Sequence, residues 1–471
     1  MNNWMTQLAS HYNRTKERYP DDRIMIVFDI DGTILDMRYV ILYVLKAFDE
    51  NHNTRHFVDL KVSDIDFHEE HIRSFLDRLN IPSGDKEVIA EQYKRIFWTS
   101  AAALEAHRPF RGVLEVIRWF QMQPNTYVAL NTGRPESLRF QTLHTLNRLA
   151  DEYRVNFDDD LLYMKPDGSE QAIPEIKVNG IQHFEREGYR ICAVVDNEPE
   201  NLYAVSQADP EQGILLLHAD TIFKSKRASV PGHAVNGKRY DLTALVLNNA
   251  LPQHTQFVWH CTDGIKSLHQ FLRSNVHWIQ FDSHFFASYL RQTSDNAGPP
   301  DIALCLSLIK KRGKKIKLLL REGEVRPAEA LRALSGYGFD ASSICLDIGI
   351  PTVMDGNEGM KILRGEYPRM IIQCPVDHLA PLILTDPARA KEALAVIRSR
   401  GIDRFSVNWM QPKKRRIIAR LLRWGSEIDI RDVHGLESFL QAALMAPSSI
   451  TSHFNFLEYY NEEYPSDRLI A

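Results

Sequence analysis

Cysteine is scarce in this sequence. The five thiols among 471 residues (Cys192, Cys261, Cys305, Cys345 and Cys374) are scattered, and no CxxC or Cys/His metal spacing occurs. That pattern offers neither a disulfide framework nor a zinc module, and reduced thiols in a cytoplasmic protein are its simplest account. Long apolar runs are missing too, so no segment reaches membrane-spanning length. Residues 1–20 are polar and lack the apolar centre of a signal peptide. Charge of one sign is also lacking. The net value of −4 provides no basic field to draw in nucleic acid. What remains is ordinary globular composition, 44% hydrophobic and 25% charged, in a chain long enough for two or three domains.

Chemistry concentrates first at Phe28-Asp29-Ile30-Asp31-Gly32-Thr33. The apolar run 24–28 reads as a buried parallel strand. Ligands of open α/β sheets bind beyond the carboxyl ends of such strands. Two carboxylates placed there lose solvation and repel each other. A divalent cation relieves both penalties, and Mg²⁺ is usually held by one or two carboxylates. Residues 127–131 read as a second strand, ending in Thr132-Gly133-Arg134-Pro135. A hydroxyl beside a glycine at a strand end can donate to a phosphate oxygen. Two lysines follow: Lys165 after a short strand, and Lys177 opening a helix that runs through Phe184. The strand 189–195 then ends in Asp196-Asn197-Glu198-Pro199-Glu200-Asn201. Between the first two motifs lies a helical insert, with helices expected over about 39–51, 66–79 and 86–98. It contains His68-Glu69-Glu70-His71, which is not HExxH and reads as a solvated helix face.

These four elements, in this order, resemble the motifs of the haloacid dehalogenase (HAD) superfamily in its phosphatase form, over about residues 22–220. The resemblance implies an α/β fold over residues 1–240, a doubly wound parallel sheet with a helical cap at about 37–108. It implies a Mg²⁺-dependent hydrolase that acts on a small organic phosphate monoester through an aspartyl-phosphate. Asp29 would attack phosphorus, and Asp31 would serve as acid and then base. Asp29, Asp196 and the Asp31 main-chain carbonyl would hold Mg²⁺. Thr132 and Lys177 would stabilise the phosphoryl oxygens. Lys177 is preferred because it lies one helix before the next strand, where the family keeps this lysine; Lys165 is the alternative. Asn197 stands where the family often has a second aspartate, and Glu200 is a candidate for the missing charge. The rival readings are a nucleic-acid end-processing phosphatase and a non-catalytic binding scaffold.

After a linker at 241–256, residues 257–471 alternate short strands with helices. Eight strand starts, near 257, 276, 316, 344, 370, 404, 427 and 449, suit a (β/α)8 TIM-like barrel. A second open sheet is the alternative. Barrel sites lie at the carboxyl ends of the strands, where the sequence offers His260, Asp282, His284, Glu322, Asp347, Asn408, Asp429, Asp432 and His453. The opening of this half resembles phospholipase-C-like (menorin-type) phosphodiesterase barrels, which commonly carry an early histidine and a Glu-x-Asp metal pair. Here Gln280 replaces the glutamate, so His260 and Asp282 form a second candidate site. That site belongs either to a phosphodiesterase or to a degenerate barrel that binds a ligand. The basic run 310–315 reads as a solvated loop.

Overall fold

The computed structural model describes residues 3–79, 81–97, 99, 102, 106–222, 224, 229–246, 255–260, 265–274, 276–282, 302–320, 325–349 and 357–453. The chain divides into two compact units, Met1–Asn248 and Asn249–Ala471. Among the described residues no helix is long and apolar enough to cross a membrane.

The first unit is built on six parallel strands: β1 Arg23–Phe28, β2 Thr126–Pro135, β3 Leu162–Lys165, β4 Tyr189–Asp196, β5 Leu215–Ala219 and β6 Val235–Gly237. Their spatial order is β3-β2-β1-β4-β5-β6. β1 therefore lies between β2 and β4, where the winding reverses. That is the switch point at which open α/β sheets bind ligands. β1 is apolar because both its faces are covered; Ile24 to Phe28 are all buried. On one side Met25, Val27 and Ala129 pack with Ile181, Phe184, Leu202 and Val205. The last four belong to the helices Ile173–Arg186 and Pro199–Ala208, each with a proline in its first turn.

The insert between β1 and β2 is helical, as expected, with helices Arg38–His52, Ile72–Arg78 and Ser83–Phe97. The helix expected over 66–79 is shorter than its sequence pattern. His68 is extended, and its ring accepts the Glu70 N–H at 3.3 Å, capping the 3-10 turn Glu69–His71 ahead of Ile72. The local cap outcompetes a further helical turn.

The second unit is a closed barrel of eight parallel strands. They are β7 Gln256–His260, β8 Trp278–Asp282, β9 Lys315–Leu320, β10 Ile344–Ile348, β11 Ile371–Pro375, β12 Arg404–Asn408, β13 Glu427–Val433 and β14 Ser449–Ser452. Closure by β14 against β7 rules out the open-sheet alternative. Branched apolar side chains usually fill such an interior. Here β9, β11 and β13 contribute Lys317, Gln373 and Asp429 to one buried layer. Lys317 Nζ donates to Asp429 Oδ2 and to Thr451 Oγ1, each at 2.8 Å. Gln373 Nε2 donates to Asp347 Oδ2 at 2.6 Å and to Asp429 Oδ2 at 3.2 Å. Asp347 and Asp429, expected at the mouth, are therefore interior residues, fully buried within their strands. Lys314, expected in a solvated loop, is buried and donates to the carbonyls of Phe271, Ser274 and Val276.

Candidate active site

The site of the first unit lies beyond the carboxyl ends of β1, β2 and β4. Asp29 leaves β1 with its N–H bonded to the Val195 carbonyl at 2.9 Å, which ties it to β4. Lys177, in the helix after β3, is buried and inserts its ammonium between two carboxylates. Its Nζ lies 2.6 Å from Asp29 Oδ1 and 2.8 Å from Asp196 Oδ2. A third bond, 2.6 Å to the Asn131 carbonyl, fixes it against β2. Asn131 Nδ2 returns a bond to the Lys177 carbonyl at 2.8 Å. Gly180 permits this approach, since a Cβ there would lie 2.5 Å from Asn131 Nδ2. Of the two lysines singled out in the sequence, Lys177 is the one that reaches Asp29 and Asp196; Lys165 ends β3.

Asp196 is held by more than Lys177. It accepts the Glu198 N–H at 2.8 Å, and Asn201 Nδ2 lies 3.1 Å from both its oxygens. Asn201, not Glu200, is the residue the helix Pro199–Ala208 turns toward the site; Glu200 is exposed. Asn197 is engaged elsewhere. Its Nδ2 donates to the Ile222 carbonyl at 2.7 Å, and its Oδ1 accepts from Thr33 at 3.4 Å. The amide also lies against Gly32, whose φ of +79° and lack of side chain both matter, because a Cβ would meet Asn197 Nδ2 at 2.5 Å.

Asp31 is clamped by Arg134, a residue given no role of its own from the sequence. Arg134 Nε donates to Asp31 Oδ2 at 2.7 Å and Nη2 to Oδ1 at 2.6 Å. Nη1 reaches Thr142 at 3.2 Å, and the His107 ring lies 3.4 Å from Nη2. Thr132 is buried, and its oxygen accepts the Arg134 N–H at 3.3 Å, leaving the hydroxyl hydrogen to donate.

The electrostatics follow from burial. Burial raises the Asp29 carboxyl above the usual range; Lys177 opposes this, while Asp196 and Asp31 add to it. For Lys177, burial alone would lower the ammonium, but Asp196 and Asp29 outweigh it and hold the charge. Burial would also raise Asp31, yet the Arg134 guanidinium prevails and keeps this carboxyl below its ordinary value.

The cap segment closes on the same group. The side chains of His68 and Glu69 are largely buried and 3.4 Å apart, not on a solvated face. Burial and the nearby Asp31 charge push Glu69 up to about 8, and burial pushes His68 down to about 4. His68 Nε2 lies 3.9 Å from the Glu198 carboxylate, and Glu70 pairs with Lys224 at 2.6 Å.

No protein-family model matches the chain, and no curated protein matches it. Solved structures similar to its N-terminal part include a HAD-superfamily hydrolase, subfamily IA, from Geobacter sulfurreducens. That protein is 13% identical at a TM-score of 0.31, over 47% of this chain and 94% of that one. CbbY from Rhodobacter sphaeroides, in complex with phosphate, is 16% identical at a TM-score of 0.29, over 45% and 92%. A HAD family hydrolase from Deinococcus radiodurans, with bound phosphate and sodium, is 16% identical at 0.28, over 42% and 81%.

The hard oxygen donors that Lys177 brings together here are the Asp29 and Asp196 carboxylates. Among the described residues no group of three or more His, Cys, Asp or Glu is arranged to hold a metal. Two carboxylates fit Mg²⁺, which is commonly bound through one or two together with substrate phosphate. Three crowded carboxylates facing one ammonium and one guanidinium also leave negative charge for a cation to offset.

At the barrel mouth, His260 and Asp282 come together, with Nε2 and Oδ1 3.6 Å apart. Residues past β14 and within β13 complete the cluster. The His453 ring lies 4.0 Å from that of His260 and stacks on His434 at 4.5 Å. His453 Nε2 is 3.4 Å from Asp432 Oδ1, and Asp432 accepts from Asn408 at 2.7 Å and Arg431 at 2.8 Å. His284 and Glu322 lie outside the described residues.

Proposed function

We propose that the first unit is a Mg²⁺-dependent phosphatase that hydrolyses a small organic phosphate monoester through an aspartyl-phosphate on Asp29. One observation carries the reading: the Lys177 ammonium joins Asp29 to Asp196 at the sheet's switch point, with a second carboxylate two residues on from Asp29. An Asp29 oxygen forms the new bond to phosphorus as the bond to the leaving oxygen breaks. A proton on Asp31 passes to that oxygen, and Asp31 later takes one from the water that hydrolyses the acyl phosphate. The Arg134 clamp favours the ionised form of Asp31, which the second step needs; for the first step Asp31 must take up a proton against that bias. Thr132 donates to the phosphoryl oxygens, and the Lys177 ammonium, its three N–H groups directed at Asp29, Asp196 and the Asn131 carbonyl, stabilises them by its charge. Asp29, Asp196 and the Asp31 main-chain carbonyl would hold Mg²⁺. When bound, the ion supplies charge neutralisation for the nucleophile and the phosphate. Buried thiols at Cys192, Cys345 and Cys374 suit a cytoplasmic setting.

The test is phosphate release from an aryl phosphate with and without Mg²⁺. Asp29→Asn is expected to abolish it, and retained turnover would refute the assignment. For the barrel, the histidines and carboxylates around His260 support binding or cleavage of a phosphodiester. His260→Ala should remove diester cleavage and leave monoester hydrolysis intact; unchanged diester cleavage overturns that role.

A further inference from the structure

The turn that follows Asp31 is held by a stretch of chain outside the four motifs. Gly32 and Thr33 are buried, so their carbonyls need donors. Two hydroxyls from beyond residue 220, where the motif resemblance ends, supply them. Tyr240 is buried and donates to the Thr33 carbonyl at 2.9 Å, across 207 residues of chain. Thr221 Oγ1 donates to the Gly32 carbonyl. Burial raises the Tyr240 phenol, and the Asp29 and Asp196 charges add to the rise, so the group keeps its proton and donates. Tyr240 is itself anchored. Trp4, in the N-terminal helix Trp4–Arg18, donates from Nε1 to the Arg239 carbonyl at 2.6 Å, and its ring centroid lies 4.9 Å from that of Tyr240. Asn3 Nδ2 donates to Asp241 Oδ2 at 3.2 Å. The Tyr240 carbonyl lies against Gly112, where φ is +87° and a Cβ would overlap it.

We propose that Tyr240, with Thr221, is a positioning residue for phosphoryl transfer: the two hydroxyls set the Gly32–Thr33 turn and, through it, the place of Asp31 relative to Asp29. The inference rests on the phosphatase reading of Asp29 and Asp31. Asp31 is then fixed from two sides. Arg134 holds its carboxylate, and the turn holds the backbone that carries it. The ion pair alone does not suffice, because a flexible side chain can keep its partner while the Cα shifts. A proton passes only between atoms within hydrogen-bond reach, and a misplacement of about 1 Å can cost roughly a hundredfold in rate. Asp31 gives its proton to the leaving oxygen in the first step. A displaced Asp31 therefore matters most when that oxygen is a poor leaving group. A nitrophenolate departs with little help from an acid, whereas an unsubstituted phenolate, with a pKa of about 10, needs more.

The experiment compares p-nitrophenyl phosphate with phenyl phosphate, using the full chain and Mg²⁺. It reads kcat/KM, which reports formation of the aspartyl-phosphate. Tyr240→Phe keeps the ring and removes the donor. It should lower kcat/KM for phenyl phosphate by at least about tenfold and for p-nitrophenyl phosphate by less than about threefold. Thr221→Val should shift the ratio of the two esters in the same direction, and Thr221→Ser, which keeps a hydroxyl, should restore the parent ratio. If Tyr240→Phe fails to fold, the two Thr221 variants decide. An equal loss on both esters marks a merely structural role and overturns the inference, as does a ratio that no variant moves. Cleavage of p-nitrophenyl phosphate alone by the unaltered protein would mean that no acid assists departure, and overturns the inference alone. Absence of turnover of either ester overturns the phosphatase reading and this inference with it.

Discussion

Replacing Lys177 with methionine keeps most of the side-chain volume and removes the charge. Asp29 and Asp196 would then face each other, both buried, with their shared ammonium gone. The Asn131 carbonyl would lose a donor as well. Removing one partner of a buried ion pair costs about 3–5 kcal/mol. In a unit of this size, 1 kcal/mol moves Tm by about 2–4 °C. Lys177→Met should therefore lower the melting temperature of the first unit by roughly 6–20 °C. The loss should depend on pH with a definite sign. Burial raises the Asp29 carboxyl above its unfolded value and Lys177 opposes that rise, so without Lys177 the folded pKa of Asp29 lies higher still. Protonation therefore restores stability as pH falls, and the gap to the unaltered protein narrows from pH 8 to pH 5. Adding Asp29→Asn to Lys177→Met removes one of the repelling charges and should recover part of the loss. The assay is thermal unfolding by circular dichroism, paired with phosphate release, which should disappear. A melting temperature within about 2 °C of the parent, or no recovery in the double variant, would show that these charges are not coupled as described.

Other outcomes follow from the same physics. Gly180→Ala should cost about 1–3 kcal/mol by overpacking and reduce kcat, because the added methyl displaces Asn131 from Lys177; unfolding curves and initial rates measure both. Lys317→Met should destabilise the barrel by about 3–5 kcal/mol. The pair Lys317→Met with Asp429→Leu should recover most of that, as read by denaturant unfolding. In Asp429, burial would raise the carboxyl, but Lys317 outweighs it and the folded pKa is depressed. Its contribution is therefore full above the unfolded value of about 3.9 and lost as pH falls through the folded value. Asp429→Asn should be the less stable protein at pH 7, with the difference shrinking below about pH 4. Hydrogen exchange of the β9 and β13 amides would follow it.

Much of this was legible in the sequence because it is local. The strands that begin near 316, 344, 404, 427 and 449 declare themselves by short apolar runs between helical stretches, and they lie within a residue of where the barrel places them. Asp29, Thr132 and Asp196 each sit at the carboxyl end of such a run, so hydrophobic pattern alone put them on one edge. The family resemblance, which keeps this lysine one helix before the next strand, favoured Lys177 over Lys165. Other features depended on neighbours far away in the chain. Arg134 meets Asp31 across 103 residues, and only the adjacency of β1 and β2 brings them together. Asn201 rather than Glu200 faces Asp196 because helix phase, set by packing on the sheet, selects one residue of the turn. His68 and Glu69 look like a solvated face when read as a helix. A side-chain cap shortened that helix, and the closed insert buried them over Asp31. Inside the barrel, Asp347 and Asp429 resembled mouth residues until closure placed Lys317 opposite Asp429. Periodicity and motif order thus determined which strands exist and where their polar ends fall. Which charges meet was decided only by strand order and closure, because electrostatic partnership depends on distance in space and the sequence records distance along the chain.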